Sequence, residues 1–152
     1  MEFVLVLPFL LLLALGLLEF GRALDTAHSL SSLSREGANL AARGAPLDTV
    51  AATILINGAD IDMSNAGGVI ATEVQIEGGA PLVMGQSWSP GFWAPSAMGG
   101  VGDTAFVLGG LNLREGGRHY VVEVFYEFRP ITPLRRLFGF GVRDTLYDRA
   151  VF

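Results

Sequence analysis

The 152-residue sequence contains no cysteine and no lysine. The first absence excludes a disulfide framework, a thiolate metal site and a cysteine nucleophile. An exported form must then be held by core packing or by assembly with its neighbours. The second leaves arginine as the whole basic complement, ten residues against fifteen acidic ones, for a net charge of −5. Phosphate binding needs a concentrated basic surface, and the one basic cluster, Arg135–Arg136, reads as a solvated turn. No nucleic-acid partner is expected. The two histidines, His28 and His119, stand far apart with no partner at metal-ligand spacing. A G-x-S-x-G elbow, an H-E-x-x-H pair, a P-loop and a dinucleotide fingerprint are all missing. Neither catalysis, a cofactor nor a metal is expected. Asp60, Asp62 and Ser64 echo the start of a calcium loop, but Asn65 stands in place of its glycine and Ala71 in place of its closing glutamate. A turn ahead of a strand is the better reading.

What the sequence does have is a long apolar opening, MEFVLVLPFLLLLALGLLEFGRAL. Mean hydropathy is +0.46, and much of the excess sits in residues 1–24. The uncharged stretch Phe3–Leu18 gives about 24 Å of helix at 1.5 Å per residue, slightly short of a membrane span before its flanks are added. A cleaved secretory signal would start with positive charge and end on small residues; here the start is Glu2 and the end is Glu19-Phe20-Gly21-Arg22. A membrane anchor fits better. A glutamate at the apolar entrance is costly in a bilayer and marks a function. Its natural partner is a free amino terminus; if that amine belongs to an adjacent subunit, Glu2 pins the register of stacked helices. The alternative is a headgroup-level carboxylate in water. Pro8 removes a helix hydrogen bond and either kinks the helix or lies near enough to its start to be tolerated. Gly16 and Gly21 permit close approach of neighbouring helices.

The helix continues past Arg22. Leu24, Ala27, Leu30, Leu33, Gly37, Leu40 and Ala41 recur at three- and four-residue steps, an amphipathic stripe, until Gly44 and Pro46 stop it. One helix of about 43 residues, roughly 65 Å long, is too long for a compact domain of this size. Lipid, or copies of itself, must cover its first half.

These residues carry a resemblance. Glu2-Phe3 at the start, Pro8 within the run, Glu19-Phe20-Gly21-Arg22 at its close and Arg35-Glu36-Gly37 to Arg43 beyond resemble the amino-terminal region of TadE-like pseudopilins, small pilin-type subunits of tight-adherence, type IVc-like systems. DIDMSNAGGVIATEV is loosely similar to that family's first strand region, and YVVEVFYEFRPITPLRRLFG with DTLYDRAVF to its final strands. Family members are cut from precursors by a prepilin peptidase after a small residue, with the glutamate a few residues later. Here Glu2 follows Met1 directly, a departure from that pattern.

The remaining sequence predicts an α+β head. Residues 46–58 read as a second helix with Leu47, Val50, Ala51, Ile54 and Leu55 on one side, or as a strand from Thr53. In 69–77, Ile70, Thr72, Val74 and Ile76 face one way and Glu73, Gln75 and Glu77 the other. In 119–128, Tyr120, Val122, Val124, Tyr126 and Phe128 point inward, leaving Glu123 and Glu127 on the wet side. Residues 144–152 form a third strand; 82–88 and 104–109 are weaker candidates. The glycine- and proline-rich stretch between the first and later strands reads as loop. Its Trp88, Phe92 and Trp93 either cap a small core or form an exposed contact surface.

The expected architecture is pilin-like: a hydrophobic helix over residues 1–44 (membrane or filament core 1–24, amphipathic 25–44) and an antiparallel sheet head over 45–152. The resemblance implies a structural subunit held in the bacterial inner membrane, handed to a pilus assembly machinery and built into an extracellular filament of identical subunits. The expected assembly residues are Glu2, Phe3, Pro8, Gly16, Glu19, Gly21 and Arg22, with Trp88, Phe92 and Trp93 as the surface-contact set. The alternatives are a minor, priming pseudopilin and a single-pass anchored binding module.

Overall fold

The computed structural model describes residues 2–105, 114–131 and 145–152, with side chains from Val6 onward. The expectations for Arg135–Arg136, for residues 106–109, for most of the stretch RPITPLRRLFG and for the side chains of Glu2 and Phe3 lie outside the described residues.

Helix α1 runs unbroken from Glu2 to Ala42, about 62 Å at 1.5 Å per residue. It ends where the glycine signal predicts. Gly44 takes φ +91°; its N–H donates to the Ala41 carbonyl at 2.9 Å, and the Ala45 N–H reaches back to Leu40 at 3.2 Å. Those two bonds satisfy carbonyls that the helix end would otherwise orphan. Helix α2, Leu47–Asn57, is helical through its β-branched stretch, because Val50, Ala51 and Ile54 bury a helical face. A 3-10 turn at Ala59–Ile61 and a one-turn helix, α3, at Met63–Ala66 follow. Between them Asp62 is left-handed (φ 59°) and accepts a hydrogen bond from the Asn65 side-chain amide at 2.8 Å.

Four antiparallel strands complete the fold: β1 Gly67–Glu77, β2 Ala80–Trp88, β3 Arg118–Glu127 and β4 Thr145–Val151, in the order β2-β1-β3-β4. The α+β, pilin-like architecture is thus borne out. Gly78 and Gly79, at φ 61° and 77°, make the two-residue loop between the paired Glu77 and Ala80, a turn that needs positive φ at both positions. The Glu115 carboxylate accepts from both of their N–H groups, at 2.8 and 3.0 Å. The β1–β2 register passes from Glu73↔Gly85 to Val74↔Val83, so Met84 is the extra residue of a bulge. Residues 102–105 then run along the outer edge of β2. Val83 donates to Asp103 and accepts from Gly102, and Ala105 donates to Pro81 at 2.7 Å.

The sheet is covered on both faces. On one, Val69, Ala71, Val122, Val124 and Ala150 pack against Leu30, Leu33, Ala38 and Ala41 of α1 and against α2. On the other, Val74, Val83 and Val121 meet Met98 and Ala105 of the long loop. The predicted face of β1 (Ile70, Thr72, Val74 and Ile76) is fully buried, but so are Val69 and Ala71 on the opposite side. The stripe on α1 also differs from its predicted course. Thr26, Leu30, Leu33, Ser34, Gly37, Ala38 and Ala41 are buried, whereas Leu24 is 44% exposed and Ala27 only half-covered. The buried stripe admits polar residues because they find partners: Thr26 Oγ1 donates to the Arg22 carbonyl at 2.9 Å and Ser34 Oγ to Asp148 at 2.5 Å.

At Gly37 α1 lies tightly against the sheet and α2. A Cβ there would lie 2.9 Å from Val122 Cγ1 and 3.0 Å from Ile54 Cγ1. Gly37→Leu improves helix propensity yet overpacks this contact, and is expected to lower stability by about 1–3 kcal/mol. Thermal unfolding of the detergent-solubilised chain checks it; an unchanged melting temperature would show that the helix has room to shift.

Candidate functional site

Among the described residues almost nothing covers the apolar run of α1. Val6, Leu7, Phe9, Leu10, Leu11, Leu13, Leu17, Leu18 and Phe20 are between 48% and 65% exposed. The helix is long and apolar enough to cross a membrane. Burial of one such side chain is worth about 1.5–3 kcal/mol, and a helix apolar all round needs an apolar surrounding. Pro8 sits inside the helix without interrupting it; the cost is the Val4 carbonyl, which loses the N–H that residue 8 would supply. A Cβ added at Gly16 or Gly21 would meet nothing within 4 Å, so packing among the described residues requires neither glycine.

At the end of the apolar run the structure draws Glu19 and Arg22 together with a segment more than a hundred residues away. Arg22 Nη1 donates to Glu19 Oε1 at 3.0 Å, and the Ile131 backbone N–H donates to the same oxygen at 3.3 Å. The guanidinium lies over the Phe128 ring, 5.5 Å from its centroid, with Phe128 itself 5% exposed. An open ion pair contributes about 0–1 kcal/mol, but the Glu19 side chain is only 15% exposed. It fastens the chain leaving β3 to α1. Nothing in local sequence announces this clasp.

The aromatic loop lies on the other face of the sheet and divides its work. Trp88 is half-buried and its indole N–H donates to the Ala94 carbonyl at 3.0 Å. Phe92 covers Gly68 and stacks at a tilt on Phe125, 5.5 Å between centroids. Trp93 is 79% exposed. The small core beneath is capped mainly by Met98 and Ala105. An open groove of about 430 Å³ borders the loop, walled by Pro90, Phe92, Phe125 and Tyr126.

Glu123 requires a correction. It does not lie on a wet face but is fully buried, because the loop covers the side of β3 that alternation assigns to solvent. Its carboxylate accepts from Ser96 Oγ, from the Ala97 N–H at 2.9 Å and from Tyr147 Oη at 2.9 Å. Gln86 adds a second tether through the Gly99 carbonyl, at 2.9 Å. Glu127, by contrast, is exposed and pairs with Arg129 at 2.9 Å. Among the described residues no group of three or more acidic, histidine or cysteine side chains is placed to hold a metal ion.

Burial first, and then the adjacent Glu123 carboxylate, push the Tyr147 phenol well above its ordinary value of 10.0. The folded state therefore favours the neutral phenol. That contribution is intact below about pH 10 and is lost as the pH climbs through the raised value. Tyr147→Phe is expected to flatten the loss of thermal stability between about pH 9 and about pH 12. Melting curves across that range check it, and a variant that loses stability with the same slope would overturn it.

No curated protein and no solved structure matches the chain at a significant level. The family model of TadE-like proteins does match, over residues 1–39. That span covers the whole uncovered apolar run, the Glu19–Arg22 pair and most of the amphipathic half of α1, while the sheet lies beyond it. The resemblance read from Glu2-Phe3 through Arg35-Glu36-Gly37 is therefore borne out: over residues 1–39 the long helix of this chain is similar to that of TadE-like proteins.

Proposed function

We propose that this chain is a structural, pilin-like subunit that polymerises through α1 into an extracellular filament of the tight-adherence, type IV-related class. The match over residues 1–39 and the apolar helix are consistent with a Tad pilus-related subunit. The observation that supports the finer reading is the apolar run of α1, from Val6 to Phe20, whose large hydrophobic side chains stand about half or more exposed among the described residues. In this reading the inner membrane covers it before assembly and copies of itself cover it afterwards. Lipid and helix bundle are both apolar, so the exchange is decided by close packing and by pairing of polar groups rather than by water exclusion. Gly16 and Gly21, idle within the monomer, would provide the close approach. Glu2 would pair with a neighbour's amine, and the pilus assembly machinery would drive the transfer. Head-to-tail contacts between identical subunits generate an open helix rather than a closed ring. Trp93 is the aromatic best placed to meet a neighbour or an outside surface.

Shearing cells that express the chain and imaging the released fibres by cryo-microscopy tests this. The expected density is a central bundle with the side-chain sequence of α1; a polypeptide found only in the membrane fraction would point to a minor pseudopilin or an anchored module. Gly16→Leu sharpens the test. It is expected to leave membrane insertion and the fold of the isolated chain unchanged while cutting fibre yield about tenfold, the effect of about 1.4 kcal/mol per contact. Glu2→Ala should lower fibre yield as well, and an undiminished yield would sink its pairing between subunits.

A further inference from the structure

We propose that, before assembly, Ile131 is a second membrane contact: held at the end of the apolar run, it rests in the acyl–headgroup boundary of the bilayer beside Arg129 and Arg22. The inference rests on the reading of α1 as a membrane span.

Three observations carry it. The first is height. The Ile131 N–H is bonded to the carboxylate of Glu19, and long side chains on a helix lean toward its amino terminus. The hydrogen bond therefore fixes Ile131 level with, or slightly deeper than, the last residues of the apolar run. The second is exposure: Ile131 is 75% exposed, at the same level as Leu17, Leu18 and Phe20, which are 63–65% exposed. An apolar side chain held there belongs to the apolar phase that takes Leu18. The third is the polar rim. The Arg22 and Arg129 side chains are 46% and 70% exposed, and guanidinium groups suit lipid phosphate oxygens at this depth. Burying the clasp in the interface also leaves Glu19 Oε1 satisfied, since it already accepts from Arg22 and from the Ile131 backbone. The consequence is a fixed tilt: one helix alone lets the sheet swing over the membrane, while two contacts hold it in one orientation.

The chain has no cysteine, so single spin labels can be placed without removing native thiols. Ile131→Cys, Leu13→Cys and Trp93→Cys, each labelled with a nitroxide in the full chain, would be reconstituted in phosphatidylcholine–phosphatidylglycerol vesicles. Their accessibility to oxygen and to a polar nickel complex reads depth. The expected result is lipid-side accessibility at 13, interfacial at 131 and aqueous at 93. An aqueous label at 131 with a lipid-exposed label at 13 would overturn the second contact and leave the span intact. Shielding of 131 from both reagents would overturn it in favour of a protein contact. Aqueous accessibility at 13 would remove the span itself, and the inference with it.

Discussion

The backbone ladder of α1, continuous from Glu2 to Ala42, imposes two solvents on one rigid element. Its carboxyl half is covered on one side by the sheet, and the apolar side chains of its amino half stand exposed among the described residues. The one bond lost, at Pro8, lies far from the join, so the two halves cannot reorient independently. Everything else adjusts to that join. The stripe that meets the sheet begins at Thr26, one turn after Arg22, and the clasp at Glu19 secures the chain leaving β3 to the last polar turn before the apolar run. Gly37 sets how closely the helix lies on the strands, and Gly44 with Ala45 turns the chain back so that α2 can share the same sheet face.

The second organising feature is the way buried polar groups are satisfied. A carboxylate inside a small fold is destabilising unless its oxygens accept hydrogen bonds. Glu123 accepts three, from two loop residues and a neighbouring strand. It holds in place a loop that has no regular structure of its own. Ser34 with Asp148 does the same between α1 and β4, and Ser89 with Val69 extends the sheet pairing beyond β2. Each is a specific long-range tether rather than a large hydrophobic gain, since the core under the loop consists of a few residues only.

The sequence was most legible where one physical rule acts alone. An uncharged run of leucine, valine and phenylalanine has few structural options, and its glycine stop at Gly44 has a conformational reason. The alternation in β1 and β3 was equally clear. Alternation, however, reports only which residues share a face; it does not say that the second face is dry. Val69, Ala71 and Glu123 are buried because helices cover one side and a loop the other, and a loop leaves no periodic trace. The stripe on α1 was displaced for a related reason: small polar residues such as Thr26 and Ser34 are acceptable inside when a carbonyl or carboxylate awaits them. The contact from Glu19 to Ile131 joins residues 112 positions apart, and no local pattern encodes it. Of the candidate site, the apolar helix and its closing charge pair were readable; the partner of that pair was not.

The short segment lying along β2 has a bearing on crowding. An unpaired strand edge is a template for another chain, and that hazard grows when many copies share a membrane surface. Here the outer groups of Pro81 and Val83 are engaged by residues 102–105, and the bulge at Met84 breaks the regular spacing that an incoming strand would need. The first half of that edge is therefore closed to strand addition by another copy, however densely copies are crowded.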